Sequence, residues 1–214
     1  MTSSVTSPDW LYRVGRGAVD VVDVPRLGYV MIDGGGGPGG AQFTAAVQGL
    51  YTASYGVHFL VKKERGEAPK VMPLEALWWV DDPGQQAIVE AVALGRASMA
   101  QTDRSGWRWR AMIVQPDPID AATVAQAIEQ ARAKTSLPAL DQLRFERWEE
   151  GRCAQVLHIG PYADEARSIV RLHEGIAAAG YRPRGRHHEI YLGDPRRAAP
   201  QKLRTILRHP VEPA

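Results

Sequence analysis

The 214 residues carry 26 Lys and Arg against 24 Asp and Glu, a net charge of +2, with 44% hydrophobic and 23% charged side chains; these are the proportions of a folded globular chain and exclude disorder. A balance that close to neutral leaves no strong electrostatic footprint for nucleic acid, and 21 Gly without a three-residue period exclude a collagen-like chain. The aromatic set is lopsided, with 6 Trp and 7 Tyr against 3 Phe, so most of its rings carry a polar handle and suit a half-wet cavity better than a dry core.

In chain order, residues 1–17 read as a tail ahead of a single domain over 18–211. Met1 to Asp9 is polar, with no basic segment leading into an apolar one, so it does not read as a signal peptide. No run reaches the ~18 apolar residues of a membrane helix. Ala18–Val24 and Leu27–Asp33 are rich in Val and Ile and predict a hairpin joined at Pro25-Arg26. After Gly34–Gly40, a helical pattern runs from Ala41 to Tyr55 with Val47, Leu50 and Tyr51 on one face, and Gly56 reads as its terminating glycine. Val57–Lys63 and Pro73–Val80 read as strands. Asp81-Asp82-Pro83-Gly84 turns and caps a helix over Gln85–Ala97. Trp107–Gln115 is a strand with Trp107, Trp109, Ala111 and Ile113 on one side. Asp120 caps a helix over Ala121–Lys134. Leu143–Glu149 and Arg152–Gly160 predict a hairpin around Glu150-Gly151. A helix over Asp164–Ala179 closes at Gly180, Tyr181–Arg184 and His187–Leu192 are strands, and Pro200–Leu207 reads as a short final helix.

This order contains a repeat. Val30-Met31-Ile32-Asp33-Gly34, a helix to Gly56 and two strands match Val156-Leu157-His158-Ile159-Gly160, a helix to Gly180 and two strands. The expected fold is therefore α+β, with two pseudo-symmetric strand-helix-strand-strand modules, about 18–80 and 107–193, sharing an antiparallel sheet around a central ligand groove.

Several clusters bear on chemistry. The run Gly34–Gly40 sits between a strand and a helix, the context of a phosphate loop, but no Lys-Ser/Thr follows, and a flexible connection is the plainer reading. His187-His188-Glu189 lacks the ligand spacing of a zinc site, so no metal is expected; His188 is expected to pack and His187 to lie on the surface. Glu189 alternates with Ile190 and faces either solvent or a groove; in a groove its pKa would rise and it would serve as a general base or as a counter-charge. Trp78, Trp79, Trp107 and Trp109 fall within one stretch and read either as core or as an aromatic cage. Cys153, the single cysteine, lies in a strand-like context and reads as structural; without a possible internal disulfide, a reducing, cytoplasmic location is expected. The arginines of Arg182–Arg186, with Arg196, Arg197, Lys202 and Arg204, read as a solvated face rather than a nucleic-acid surface.

Three blocks together resemble the GyrI-like small-molecule-binding domain proteins, and within them the stand-alone group that includes cyclopropanoid cyclopropyl hydrolases: Pro73-Leu74-Glu75-Ala76-Leu77-Trp78-Trp79, the stretch from Glu149 to Tyr162, and His188 to Arg197. The resemblance implies an aromatic-lined pocket with a glutamate near its base, matched here by Glu189. It implies that water opens the strained cyclopropane of a DNA-alkylating toxin, a detoxification. On that reading Glu189 activates the water, and Tyr55 or Tyr191 hydrogen-bonds the ligand carbonyl. Trp78, Trp79, Trp107 and Trp109 hold a flat hydrophobic ligand, and Tyr191, His58, His158 and Met112 complete the ligand-binding set. No cofactor, nucleic acid or membrane partner is implied. The same pocket equally serves a non-catalytic, drug-sequestering binder.

Overall fold

The computed structural model describes residues 5–15, 17 and 19–214. Among them the chain is α+β: β1 (Asp20–Gly35), α1 (Ala41–Arg65), β2 (Leu74–Val80), α2 (Pro83–Ala93), β3 (Trp107–Gln115), α3 (Ala121–Arg132), β4 (Arg144–Ile159), α4 (Ala166–Ala178), β5 (Tyr181–Pro183), β6 (His187–Tyr191) and β7 (Arg204–Pro213). The strands pair in the order β4-β1-β3-β2-β6-β7, and β4 also pairs with β7, which closes a six-stranded antiparallel barrel with β5 as an extra strand on β7. One half is β1-β3-β2 and the other β4-β7-β6; β1–β4 and β2–β6 are the seams between them.

Two expected hairpins are single long strands instead. Val24 pairs with Gly151 and Arg26 with Glu149, so β1 runs straight through Pro25 and β4 straight through Glu150. Proline is tolerated there because, among the described residues, β1 pairs with β4 alone at that point: its pairing with β3 begins at Gly28. Gly151, at φ 76°, bends β4 where its pairing begins to pass from β1 to β7. The expected start of the first hairpin, Ala18, lies outside the described residues.

α1 is a second correction. It does not stop at Gly56 but continues to Arg65, and Gly66 is its left-handed cap at φ 72°. The expected strand Val57–Lys63 is helix, with Val57, Leu60 and Val61 buried against the core; each such side chain contributes about 1.5–3 kcal/mol on burial. Gly56 is there for packing: a Cβ would lie 3.3 Å from that of Ala127 in α3. The expected final helix shrinks to one short turn over Pro200–Lys202, after which the chain enters β7. Thr205, Ile206, Leu207 and Arg208 are all buried, because β7 faces the barrel on one side and α4 on the other, and the alternation that marks a half-exposed strand is lost. α2 and α3 start at Asp82 and Asp120, whose carboxylates accept the Gln85 and Thr123 amides as expected.

The barrel interior holds charge. His188 of β6 lies 3.0 Å from Glu75 of β2 and 2.9 Å from Glu150 of β4, and Arg208 of β7 reaches Glu150 at 3.3 Å. β2 and β4 are not neighbours, so these contacts cross the lumen. Burial opposes both charges, yet the cations draw Glu150 down to about 2 and the carboxylates raise His188 to about 9. Cys153 is buried beside them, and burial pushes its thiol well up, which keeps it protonated.

Candidate functional site

β2 and β6 form a seam on which every second side chain projects to the same face. Leu74 pairs with Tyr191, Ala76 with Glu189 and Trp78 with His187. That face opens between α1 and the start of α4 into a cavity of ≈ 2030 Å³. Ala76 contributes only a methyl group beside Glu189, which leaves room above the carboxylate.

A directed hydrogen-bond chain orients the glutamate. Trp78 Nε1 donates to the Tyr191 hydroxyl at 3.1 Å, and that hydroxyl donates to Glu189 Oε2 at 2.8 Å. His187 Nε2 lies 3.6 Å from Glu189 Oε1. Burial and the Glu189 charge raise the Tyr191 hydroxyl well above its ordinary range, so it stays a donor. Opposite, Glu165 projects from the turn that opens α4; it is buried, and its Oε1 has no hydrogen-bond partner among the described residues. Burial first, and then the Glu189 charge, push its pKa up to about 9. The cavity thus holds a neutral carboxylic acid and a second carboxyl group that accepts a tyrosine hydroxyl, the division of roles that acid–base chemistry requires. Three imidazoles back the site: His187 and His209 have ring centroids 6.1 Å apart, His209 and His173 5.3 Å. Burial holds His209 at about 3 and His173 at about 4.

The walls are aromatic. Phe43 of α1 meets Trp78 with centroids 5.2 Å apart, Trp107 meets Trp78 at 5.8 Å, and Tyr162 meets Tyr191 edge-on at 5.7 Å.

Of the residues expected at the site, Glu189, Tyr191, Trp78, Trp107 and Tyr55 line the cavity. Tyr55 is half exposed and stands among Tyr51, His58 and Phe59 rather than over the carboxyl pair. The other five lie elsewhere. Trp79 is on the opposite face of β2, bonded to Asp81 and covered by the Arg186 guanidinium 3.5 Å above its ring. Trp109 is fully buried and donates to the Gly35 carbonyl at 3.1 Å. Met112 points away from α1 into the packed interior. His58 Nδ1 sits 2.7 Å from the Pro69 carbonyl oxygen. His158 bridges β4 to Ser168 and Pro161 at 3.0 and 3.2 Å. His187 is half-buried rather than on the surface. The glycine run has a structural cause at Gly34, where a Cβ would come within 2.2 Å of the Trp109 ring. Sequence reasoning missed Glu165, Tyr162, Phe43 and Tyr51. The last two carry a readable signal, a four-residue spacing on α1; Glu165 sits at a helix start, where acidic residues are ordinary.

A cavity of this kind, aromatic-walled with carboxyl groups at its base, defines a small-molecule-binding protein. The model of the GyrI-like small molecule binding domain matches residues 59–212, and the chain belongs to that family. Among solved structures it is similar to an uncharacterized conserved protein from Listeria innocua, with 30% identity and a TM-score of 0.82 over 96% of this chain and 97% of that one. It is also similar to a protein from Listeria innocua described as a hydrolase, with 29% identity and a TM-score of 0.76 over 95% of this chain and 96% of that one. The EcmrR C-terminal domain, 10% identical with a TM-score of 0.53 over 92% of this chain and 98% of that one, shares the fold. No curated protein matches the chain. Among the described residues no helix is long and apolar enough to cross a membrane.

Proposed function

We propose that this protein binds flat hydrophobic aromatic molecules and hydrolyses a reactive cyclopropane in them, the reaction of a detoxifying enzyme for DNA-alkylating compounds. The observation that carries the reading is the pairing of Glu165, held neutral with a pKa near 9, with Glu189, oriented by Tyr191, in one aromatic-walled cavity. The hydrolase description of a relative at 29% identity supports the reaction class.

Trp78, Trp107 and Tyr191 hold the ligand plane. Glu189 takes a proton from a water whose oxygen attacks the cyclopropane methylene. The C–C bond that breaks delivers its electron pair through the conjugated ring to the ligand carbonyl, and Glu165 supplies the proton that neutralises that oxygen. Water is added across the strained ring, and each carboxyl group is restored by one proton exchanged with solvent. Relief of strain and gain of aromaticity drive the step, so the protein needs only position and proton transfer.

The test is to incubate the purified protein with a cyclopropane-bearing alkylator and follow the ring-opened product by mass spectrometry. Multiple turnovers are expected, and Glu189→Gln is expected to slow them by about 10²-fold or more. Stoichiometric binding without product would leave the cavity as a sequestering site, and turnover unchanged in Glu189→Gln would remove that residue from the chemistry.

A further inference from the structure

The face of β1-β3-β2 that carries Trp79 has a concavity of its own. It encloses ≈ 780 Å³ and shares no lining residue with the aromatic cavity. One row of the ladder gives its floor: Gly35 of β1, Arg108 of β3 and Trp79 of β2 stand opposite one another. Gly35 leaves the floor bare, and a Cβ there would lie 3.0 Å from Arg108 Nη1. Arg110, two residues along β3, projects from the same face. The Arg186 guanidinium lies 3.5 Å over the Trp79 ring, where cation–π attraction holds it.

Donors and acceptors do not balance here. Both carboxylates are engaged. Asp33 accepts from Arg110 Nε at 2.7 Å and Nη2 at 3.2 Å, and from Arg144 Nη2 at 2.8 Å. Asp81 accepts from Trp79 Nε1 and from Arg108 Nε, each at 3.0 Å. N–H groups are left over. Among the described residues Arg186 makes no ion pair or hydrogen bond, and Arg110 Nη1 and both terminal nitrogens of Arg108 donate to nothing. Gln42 spends its oxygen on the Gly35 amide at 3.1 Å, which leaves its Nε2 to the concavity.

Charge is unbalanced as well. Three guanidiniums line the concavity against two carboxylates. Burial first, and then the Arg110 charge, lower the pKa of Arg186, so two like charges are held close enough to repel. Surplus donors beside a repelling cation pair call for a ligand that only accepts. The glycine backbone is not the binding element, because the Gly35 and Gly36 amides already bond Gln42 Oε1 and the Trp107 carbonyl.

We propose that this concavity is an oxyanion site for a phosphate or phosphate monoester, held by the Arg186 guanidinium and the unused N–H groups of Arg108 and Arg110. A tetrahedral phosphate presents oxygens to donors that converge from several strands, and a planar carboxylate presents fewer. Trp79 fixes Arg186 before the ligand arrives, which lowers the ordering cost of binding.

The test is an NMR titration with inorganic phosphate at constant ionic strength, read at the tryptophan indole N–H signals and repeated with acetate. The Trp79 signal is expected to shift and saturate, and the Trp78 signal, which reports the aromatic cavity, to stay in place. Arg186→Gln is expected to weaken phosphate binding about tenfold, the worth of one charge-assisted hydrogen bond. Arg186→Lys, which keeps the charge and loses the planar fork, is expected to fall between Arg186→Gln and the wild type. Arg182→Gln, a surface arginine of β5, is expected to bind as the wild type does. A shift that never saturates, or equal affinity in Arg186→Gln and the wild type, overturns the site. Equal losses in Arg182→Gln and Arg186→Gln also overturn it, because they show only the general attraction of a basic surface. Acetate binding as tightly as phosphate overturns the phosphate assignment, and a saturating shift at Trp78 without one at Trp79 places the anion in the aromatic cavity and overturns the proposal.

Discussion

Glu165 is the residue whose environment departs furthest from what its neighbours in sequence foretell. Removed from water and placed near Glu189, it has a pKa of about 9 against an ordinary value of 4.5. If it is the acid of the reaction, kcat/KM falls as pH rises through about 9. Glu165→Gln should then lose about 10²-fold in rate together with that alkaline limb, and a pH profile of both proteins checks it. Stability gives an independent readout. The folded state holds this proton more tightly than the unfolded chain, so the contribution of Glu165 is full below pH 4.5 and is lost as pH rises towards about 9. Urea midpoints of the wild type are expected to fall over that window and to fall less in Glu165→Gln. The sequence made Glu189 a candidate because it alternates with Ile190 in a strand; it could not reveal Glu165, whose partner is 24 residues away and meets it only across the cavity.

At the scale of the element, β6 shows how one strand serves two environments. Glu189 and Tyr191 face the cavity, while His188 and Ile190 face the barrel lumen. The strand period of two is readable in the sequence, and it separated His187 from His188 correctly. What lies on each side is not readable, because the lumen partners of His188 come from β2 and β4, far apart in the chain. The same limit explains the aromatic set: Trp78 and Trp79 are adjacent and so point to opposite faces, and which face holds the cavity depends on where α1 packs. His188 also clamps the strand. His188→Ala would leave Glu75 and Glu150 buried without their shared cation, and is expected to cost about 3–5 kcal/mol by urea unfolding. The contribution of His188 is present below its unfolded pKa of 6.5 and is lost as pH rises through about 9, while that of Glu150 is present above 4.5 and is lost as pH falls through about 2. A pH-stability profile of His188→Ala should therefore lack the loss between pH 6.5 and 9 that this residue gives the wild type.

The whole molecule explains why the repeat was legible while its strands were misassigned. Each half does run strand, helix, strand, strand, as β1-α1-β2-β3 and β4-α4-β6-β7, with α2 and β5 interposed, but not over the expected modules 18–80 and 107–193: β3 completes the first half instead of opening the second, and β7, expected as a helix, completes the second. Local rules broke both long strands, at Pro25 and at Gly151, because a proline and a left-handed glycine usually end a strand. In a closing barrel they instead mark where a long strand loses one neighbour or bends towards another. Closure then joins the halves into one unit, since neither β1-β3-β2 nor β4-β7-β6 keeps its edges paired without the other. β7 is the strand on which this depends most: Ile206 pairs with Leu157 of β4 and with Ile190 of β6, and Arg208 supplies a cation to the lumen. Ile206→Pro would remove a ladder donor from a strand paired on both sides, where proline is not tolerated. Pro183 already sits in β5, whose pairing is with β7 alone, and marks where the sheet tolerates one. Ile206→Pro is expected to unfold both halves together. Tryptophan fluorescence, whose reporters Trp78, Trp79, Trp107 and Trp109 lie in the first half and Trp148 in β4 of the second, should lose its native spectrum along with the far-UV circular dichroism of the whole chain. Retention of a native tryptophan spectrum in that variant would show that the first half folds alone and that closure of the barrel is not what makes the two halves one cooperative unit.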